Sequence, residues 1–133
     1  MTHKIIVEKV CFPTDHRGLV VEPLAPDEFA TQRNAHLVIT VPGGLRGNHY
    51  HKHGTEVALV LGPAFVRYRD GQEVVNCDIA QGEAYRFRFP PGVAHAMHNP
   101  SDQPMLILSF NTEPHDPNRP DVVREVLIEP SNP

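Results

Sequence analysis

The chain has 133 residues, with 16 acidic against 12 basic side chains and a net charge of −4 when histidine is neutral. That is enough for one domain with its own core and too little for two ordinary ones. The mildly acidic balance, free of runs of like charge, speaks against nucleic acid or an anionic membrane as partner, and no apolar stretch approaches the length of a membrane span.

Met1-Thr2-His3-Lys4 leads into a strand-like run rather than a signal peptide, and Cys11 and Cys77 stand far from any CxxC spacing. Two reduced, mostly buried thiols in a cytoplasmic protein are the expectation, a single disulfide the alternative. The 14 prolines fall almost entirely between apolar runs, which suits many short strands and disfavours long helices.

In chain order, candidate strands fall at 5–10, 19–22, 36–41, 48–51, 56–61, 64–69, 73–79, 84–89, 94–98, 105–110 and 122–128, with one short helical candidate at 26–31. Turn chemistry separates them: Asp15-His16-Arg17-Gly18, Pro42-Gly43-Gly44, Gly62-Pro63, Asp70-Gly71, Gln81-Gly82, Pro90-Pro91-Gly92 and Asn99-Pro100-Ser101-Asp102. Asp70-Gly71 is the strongest hairpin signal. Short strands at this spacing predict an all-β antiparallel sandwich or barrel. The expected organisation is a single domain over 1–133, its core at about 36–110, with N-terminal strands and the C-terminal tail packing outside. Val57-Ala58-Leu59-Val60-Leu61 and Met105-Leu106-Ile107-Leu108 are apolar on both faces, so the outer face needs cover from the chain's own termini or a second subunit. A homodimer is the economical expectation.

The stretch from Gly43 to Gly62 carries the chemistry. His49 and His51 stand at i and i+2 on a strand, so they project from one face, and Glu56 follows after the Lys52-His53-Gly54-Thr55 turn. Two imidazoles and a carboxylate meeting there form most of a transition-metal site. Downstream, the Pro90-Pro91-Gly92 turn delivers a strand whose His95 could supply a fourth ligand. Such a set inside a barrel buries unpaired polarity unless something binds it. His53 shares the parity of His49 and His51 but sits beside Gly54, where parity breaks. His98 falls on the face opposite His95. Lone histidines on strands are usually surface or satisfied residues, so His3, His16, His36 and His115 receive no functional role.

Read together, Gly43-x5-His49-x-His51-x4-Glu56-x5-Gly62 and Gly82-x7-Pro90-x-Gly92-x2-His95-x3-Asn99 resemble the two-motif pattern of the cupin superfamily. The resemblance implies an antiparallel double-stranded β-helix, the cupin jelly-roll barrel, with at most one short helix. It carries His49, His51, Glu56 and His95 over as ligands of one divalent transition metal, Zn, Fe, Mn or Ni, with zinc slightly favoured.

Arg46-Gly47-Asn48-His49-Tyr50 further resembles a segment of the dTDP-4-dehydrorhamnose 3,5-epimerase family whose histidine is the catalytic base. Asp15-His16-Arg17-Gly18-Leu19-Val20-Val21-Glu22 is similar to that family's nucleotide-binding stretch. On this likeness His49 is the base, and Arg17, Glu22 and Arg46 bind substrate, the first two reaching a neighbouring subunit's site. Residues 42–126 also resemble the C-terminal cupin domain of capsular polysaccharide enzymes that act on UDP-linked sugars, through residues 46–51, Glu56 and Asp116-Pro117-Asn118. The implied activity is a metal-dependent epimerase or ketoisomerase acting on a nucleotide-linked keto-deoxysugar in surface polysaccharide or sugar biosynthesis. An Fe(II)-dependent dioxygenase and a non-catalytic sugar- or metabolite-binding domain are the alternatives. A coordinated imidazole has spent its lone pair, so if His49 binds metal the base must come from His53, Tyr50, Tyr68 or Tyr85. The alternating Arg67, Arg69, Arg86 and Arg88 could hold a diphosphate, but read better as a solvated face with carboxylate partners.

Overall fold

The computed structural model describes residues 4–131, so His3 lies outside the described part. Along it run β1 (Ile6–Lys9), β2 (Thr14–Asp15), β3 (Gly18–Leu19), a 3-10 helix (Pro26–Thr31), β4 (Asn34–Thr40), β5 (Leu45–His51), β6 (Glu56–Leu61), β7 (Ala64–Asp70), β8 (Glu73–Ile79), β9 (Ala84–Phe89), β10 (His95–His98), β11 (Met105–Asn111) and β12 (Val122–Arg124). Two five-stranded antiparallel sheets, ordered β1-β9-β6-β11-β4 and β12-β5-β10-β7-β8, face each other, and β2-β3 forms a separate hairpin. This is the expected antiparallel jelly roll.

Period-two alternation builds the core between the sheets. Ala58, Val60, Phe87, Phe89, Met105 and Ile107 come from one sheet, and Ala64, Val66, Tyr68, Ile79 and Met97 from the other. Phe87 and Phe89, both fully buried, stack with centroids 5.5 Å apart. Each such side chain contributes about 1.5–3 kcal/mol by leaving water. The tight hairpin falls where the sequence puts it: β7 and β8 pair through Asp70 and Glu73, and Gly71 supplies the left-handed φ of +62°.

The doubly apolar strand β6 shows how its outer face is covered. Val57 and Leu59 are each 1% exposed although their neighbours Ala58 and Val60 fill the interior. The chain itself lies over this face: Val57 lines a cleft with Ile6 of β1 and with Ala25, Thr31 and Gln32 from the segment before β4. Among the described residues, nothing covers the edge strand β4 in this way. Leu37, Ile39 and Val41 stand 60%, 56% and 69% exposed in one outward row, beside Leu106 of β11.

Two expected strands are shorter than their sequence runs. The run at 19–22 pairs only at its first residue, because the exposed β2-β3 hairpin has no third strand and Pro23 follows. The run at 122–128 leaves the ladder after Arg124, because Asn48 captures its backbone instead. The Asn48 side chain accepts from the amides of Leu127 (2.9 Å) and Ile128 (3.0 Å) and donates to the Ile128 carbonyl (2.9 Å). Its own carbonyl accepts from the Glu125 amide at 2.8 Å. The thiols are free, as expected, but Cys11 is exposed and Cys77 only half-buried, since both lie on outward or edge positions. The arginine rows also find carboxylates: Arg69 pairs with Glu125 at 2.9 Å and Arg86 with Glu8 at 3.3 Å.

Asn48 is 4% exposed and holds a positive φ of +56°. Asn48→Ala therefore loses the tail's anchor and keeps a strained backbone, and should destabilise by about 2–4 kcal/mol in denaturant titration. Asn48→Gly relieves only the strain and should cost less. Equal losses would show that the hydrogen bonds alone matter.

Candidate metal centre

An irregularity in β5 aims its histidines. His95 of β10 sits opposite His49, but the next residue, Ala96, sits opposite Gly47, so Asn48 is left over as a bulge. A Cβ on Gly47, whose φ is +80°, would stand 2.6 Å from the His95 carbonyl oxygen, so glycine is what lets the two strands close. Beyond the bulge, the His49 ring lies 5.1 Å from that of His51 and 4.9 Å from that of His95, centroid to centroid.

His95 is held from both sides. Its ring stacks on Phe89 at 4.3 Å, within 4° of parallel, and Nδ1–H donates to the Val93 carbonyl at 3.0 Å. The turn before it is tied to β5, because the Gly92 amide donates to the His51 carbonyl at 2.8 Å. That bond turns the other ring nitrogen, Nε2, toward the interior.

Glu56, the first residue of β6, lies between the imidazoles. Its Oε1 is 3.3 Å from His51 Nε2 and its Oε2 is 3.0 Å from His95 Nε2. The second contact lacks hydrogen-bond geometry, so among the described residues His95 Nε2 is buried with no hydrogen-bond partner. A buried ring nitrogen facing a carboxylate oxygen at this distance is satisfied by a cation between them, a proton or a metal ion. The ligating atoms of His49, His51, Glu56 and His95 all lie within 4.8 Å of one another. This group could hold a metal, and three imidazoles with one carboxylate suit a divalent transition ion.

The electrostatics are those of a desolvated cluster. Burial, with the neighbouring His95 and His51, pushes the His49 imidazole down to about 4, against the pull of Glu56. It is neutral at ordinary pH with a lone pair to offer. Burial alone would raise the Glu56 carboxyl, but His95 and His51 outweigh it and hold the group well below the usual carboxylate range. Burial likewise opposes the charged form of His95, yet the Glu56 carboxylate and the Val93 carbonyl raise it overall.

Asp121 is the residue that sequence reasoning missed. Its Oδ1 and Oδ2 accept from the amides of His53 and Gly54, both at 2.9 Å. Its Oδ2 also lies 3.7 Å from His51 Nδ1, an ion-pair distance. The carboxylate thus caps the turn before Glu56 and orients His51 from behind. The local cue was faint, an aspartate just ahead of the last apolar run.

Over the cluster lies a cavity of about 210 Å³, roofed by Pro114, Pro117 and Pro120. His49, His51 and Glu56 line it, and so do His36 and His115, to which the sequence assigned no role. The other expected site residues lie elsewhere. Tyr50 alternates to the opposite face of β5 and pairs with Val123. His53 is exposed and, beside Lys52, lines a depression that adjoins the cavity. Tyr68 and Tyr85 belong to the core, Tyr85 stacking on Phe87 at 6.2 Å. Arg46 bonds Thr40 Oγ1 (3.0 Å) and the Ile39 carbonyl (3.3 Å). Arg17 sits on the β2-β3 hairpin, its side chain 79% exposed and paired with Asp15 at 2.6 Å. Exposed Glu22 borders a cleft with Glu8 and Arg86.

A family model described as the polysaccharide biosynthesis C-terminal domain matches residues 13–123. The chain belongs to that family. No curated protein sequence matches it. Among solved structures, this polysaccharide biosynthesis C-terminal domain resembles the capsular polysaccharide assembling protein CapF from Staphylococcus aureus at 24% identity and a TM-score of 0.64, over 94% of this chain and 34% of that one. The chain therefore spans about a third of CapF. It also resembles QdtA, a sugar 3,4-ketoisomerase from Thermoanaerobacterium thermosaccharolyticum solved with TDP, at 17% identity and a TM-score of 0.70, over 94% and 90% of the two chains. A dTDP sugar isomerase from Desulfovibrio desulfuricans G20 matches at 16% identity and a TM-score of 0.77, over 93% and 85%. These likenesses establish the shared jelly roll.

Asp121→Asn keeps the size of the side chain but removes the charge behind His51. It should weaken metal binding about 10–100-fold in competition with a chromogenic chelator. Unchanged affinity would reduce Asp121 to a cap on the 53–54 turn.

Proposed function

We propose that this chain is a metal-dependent epimerase or ketoisomerase domain acting on a nucleotide-linked keto-deoxysugar. The carrying observation is the cluster of His49, His51, Glu56 and His95, with its orphaned nitrogen, at the floor of a cavity. A sugar isomerase and a sugar ketoisomerase solved with TDP among the structural relatives support the substrate class.

The four donors are the proposed ligands, with zinc first among Zn, Fe, Mn and Ni. When bound, such an ion supplies Lewis-acid stabilisation of negative charge developing on a substrate carbonyl oxygen. The chain's own residues do the rest. Val93 and Phe89 fix the His95 ring, Asp121 fixes His51, and Glu56 balances the charge of the set. His49 is assigned to the donor set rather than to the base, since its ligating atom converges with those of His51, Glu56 and His95. A cavity of about 210 Å³ is smaller than the usual pocket for a drug-sized ligand, so it suits the reacting sugar ring alone. The nucleotide would lie outside, along the neighbouring depression lined by Lys52, His53 and Arg119.

Metal-loaded, untagged protein should wash deuterium from heavy water into the carbon beside the ketone of a 4-keto nucleotide sugar. His49→Ala and His95→Ala should each lose both the metal, by elemental analysis, and the exchange. Absence of exchange by the wild type across a panel of such sugars would sink the reading.

The uncovered row of Leu37, Ile39 and Val41 on an edge strand supports a homodimer through β4, with the free thiols in keeping with a cytoplasmic setting. Arg17 and Glu22, remote from their own chain's cavity, would then contact nucleotide only from a second copy. Leu37→Glu with Ile39→Glu should convert a dimer to a monomer in sedimentation velocity. A wild type that sediments as a monomer at every concentration refutes the dimer.

A further inference from the structure

The inner face of the sheet that carries Glu56 changes character along the strands. Its register gives one rung of Asn34, Asn111, Glu56 and Phe89, and a next rung of His36, Ser109, Ala58 and Phe87, in which His36, on the edge strand, is exposed. Below these come Val38, Ile107, Val60 and Tyr85. The deep rung is core, but the upper two place polar side chains on the β4 and β11 side of the cavity. Polar groups on an inward face cost free energy unless water or a ligand meets them, and here Asn34, His36 and Asn111 line the space above the cluster. His36 is the titratable member of that polar wall apart from Glu56 itself.

Abstraction of a carbon-bound proton needs a base that touches the substrate and is not spent on a metal. His49, His51, Glu56 and His95 converge on one another. Tyr50 is on the far face, Tyr68 and Tyr85 are in the core, and His53 lines the adjoining depression rather than the cavity over the cluster. Two imidazoles remain in the cavity, His36 and His115. His115 rides on the roof segment, whereas His36 stands on β4, which is paired with β11 from Asn34 to Thr40. A side chain on a strand is held in place better than one on a loop.

We propose that His36 is the general base, removing the proton beside the ketone of the bound sugar. This rests on the reading of the site as a keto-sugar epimerase or ketoisomerase. The C–H bond breaks and its electron pair forms the carbon–carbon double bond of the enolate. The carbonyl π pair moves onto oxygen, and the proton passes to the lone pair of the His36 imidazole. Reprotonation of carbon by the imidazolium, or by water whose hydroxide then takes the imidazolium proton, regenerates the neutral ring.

The test compares His36→Gln and His36→Ala with the metal-loaded wild type in the deuterium-exchange assay. His36→Gln should lose about 10²–10⁴-fold in exchange rate, the usual worth of a positioned base, while keeping its metal content, melting temperature and affinity for TDP. Free imidazole should restore exchange to His36→Ala, and more basic substituted imidazoles should restore it faster. Exchange in His36→Gln close to the wild-type rate overturns the proposal. So does a loss that tracks loss of metal, an absence of imidazole rescue, or a loss seen in His115→Gln but not in His36→Gln. If the wild type itself exchanges nothing, the keto-sugar reading falls and takes this inference with it. If the wild type exchanges and His36→Gln is undiminished, only this inference falls.

Discussion

The Glu56 carboxylate, its side chain 11% exposed, is flanked by His51 at 3.3 Å and His95 at 3.0 Å. Taking a carboxylate out of water costs several kcal/mol unless positive charge or hydrogen bonds replace the lost hydration. The imidazoles are the replacement, and their placement explains otherwise separate local features. The bulge at Gly47-Asn48 brings His49 opposite His95, the Val93 carbonyl points Nε2 inward, and Asp121 holds His51 from behind. Removing any of these leaves the carboxylate less well answered.

The same constraint ties remote parts of the chain together. Asp121 reaches across 67 residues to Gly54, and Asn48 reaches across 80 to Ile128. The segment after β11 is therefore a working wall of the site, although much of it has no regular structure. Its short strand β12 pairs with the part of β5 that carries His49 and His51, so tail and donor strand are fixed as one unit.

Much of this was legible in the sequence, for identifiable reasons. Turn residues at Asp70-Gly71 and Pro90-Pro91-Gly92 bracket strands whose alternation could be read directly, and His49-x-His51 declares a shared face within three residues. What stayed hidden depends on pairing between distant strands. His36 is a lone histidine in an apolar run, and only the β4-β11-β6 register brings it to the rungs around Glu56. Asp121 carries no local pattern, since its partners lie in the 51–54 turn. The expected roles of Arg17, Glu22 and Arg46 came from motif likeness, which says nothing about reach, and none of the three lines the cavity of its own chain. The strand expected at 122–128 failed for a comparable reason: the left-handed Asn48 outbid the ladder for its backbone.

The prolines at 114, 117 and 120 give the roof a particular character. A proline every third residue restricts the unfolded chain, so the roof forms at a lower entropic cost than an ordinary loop of its length. Between the prolines stand residues free of any duty to the barrel core, His115, Asp116, Asn118 and Arg119 among them, all exposed. The cluster sits on rigid strands, while the rim of the cavity above it sits on a stiff but replaceable strip. Substitution in this strip can therefore reshape the mouth of the cavity while leaving the cluster beneath it intact.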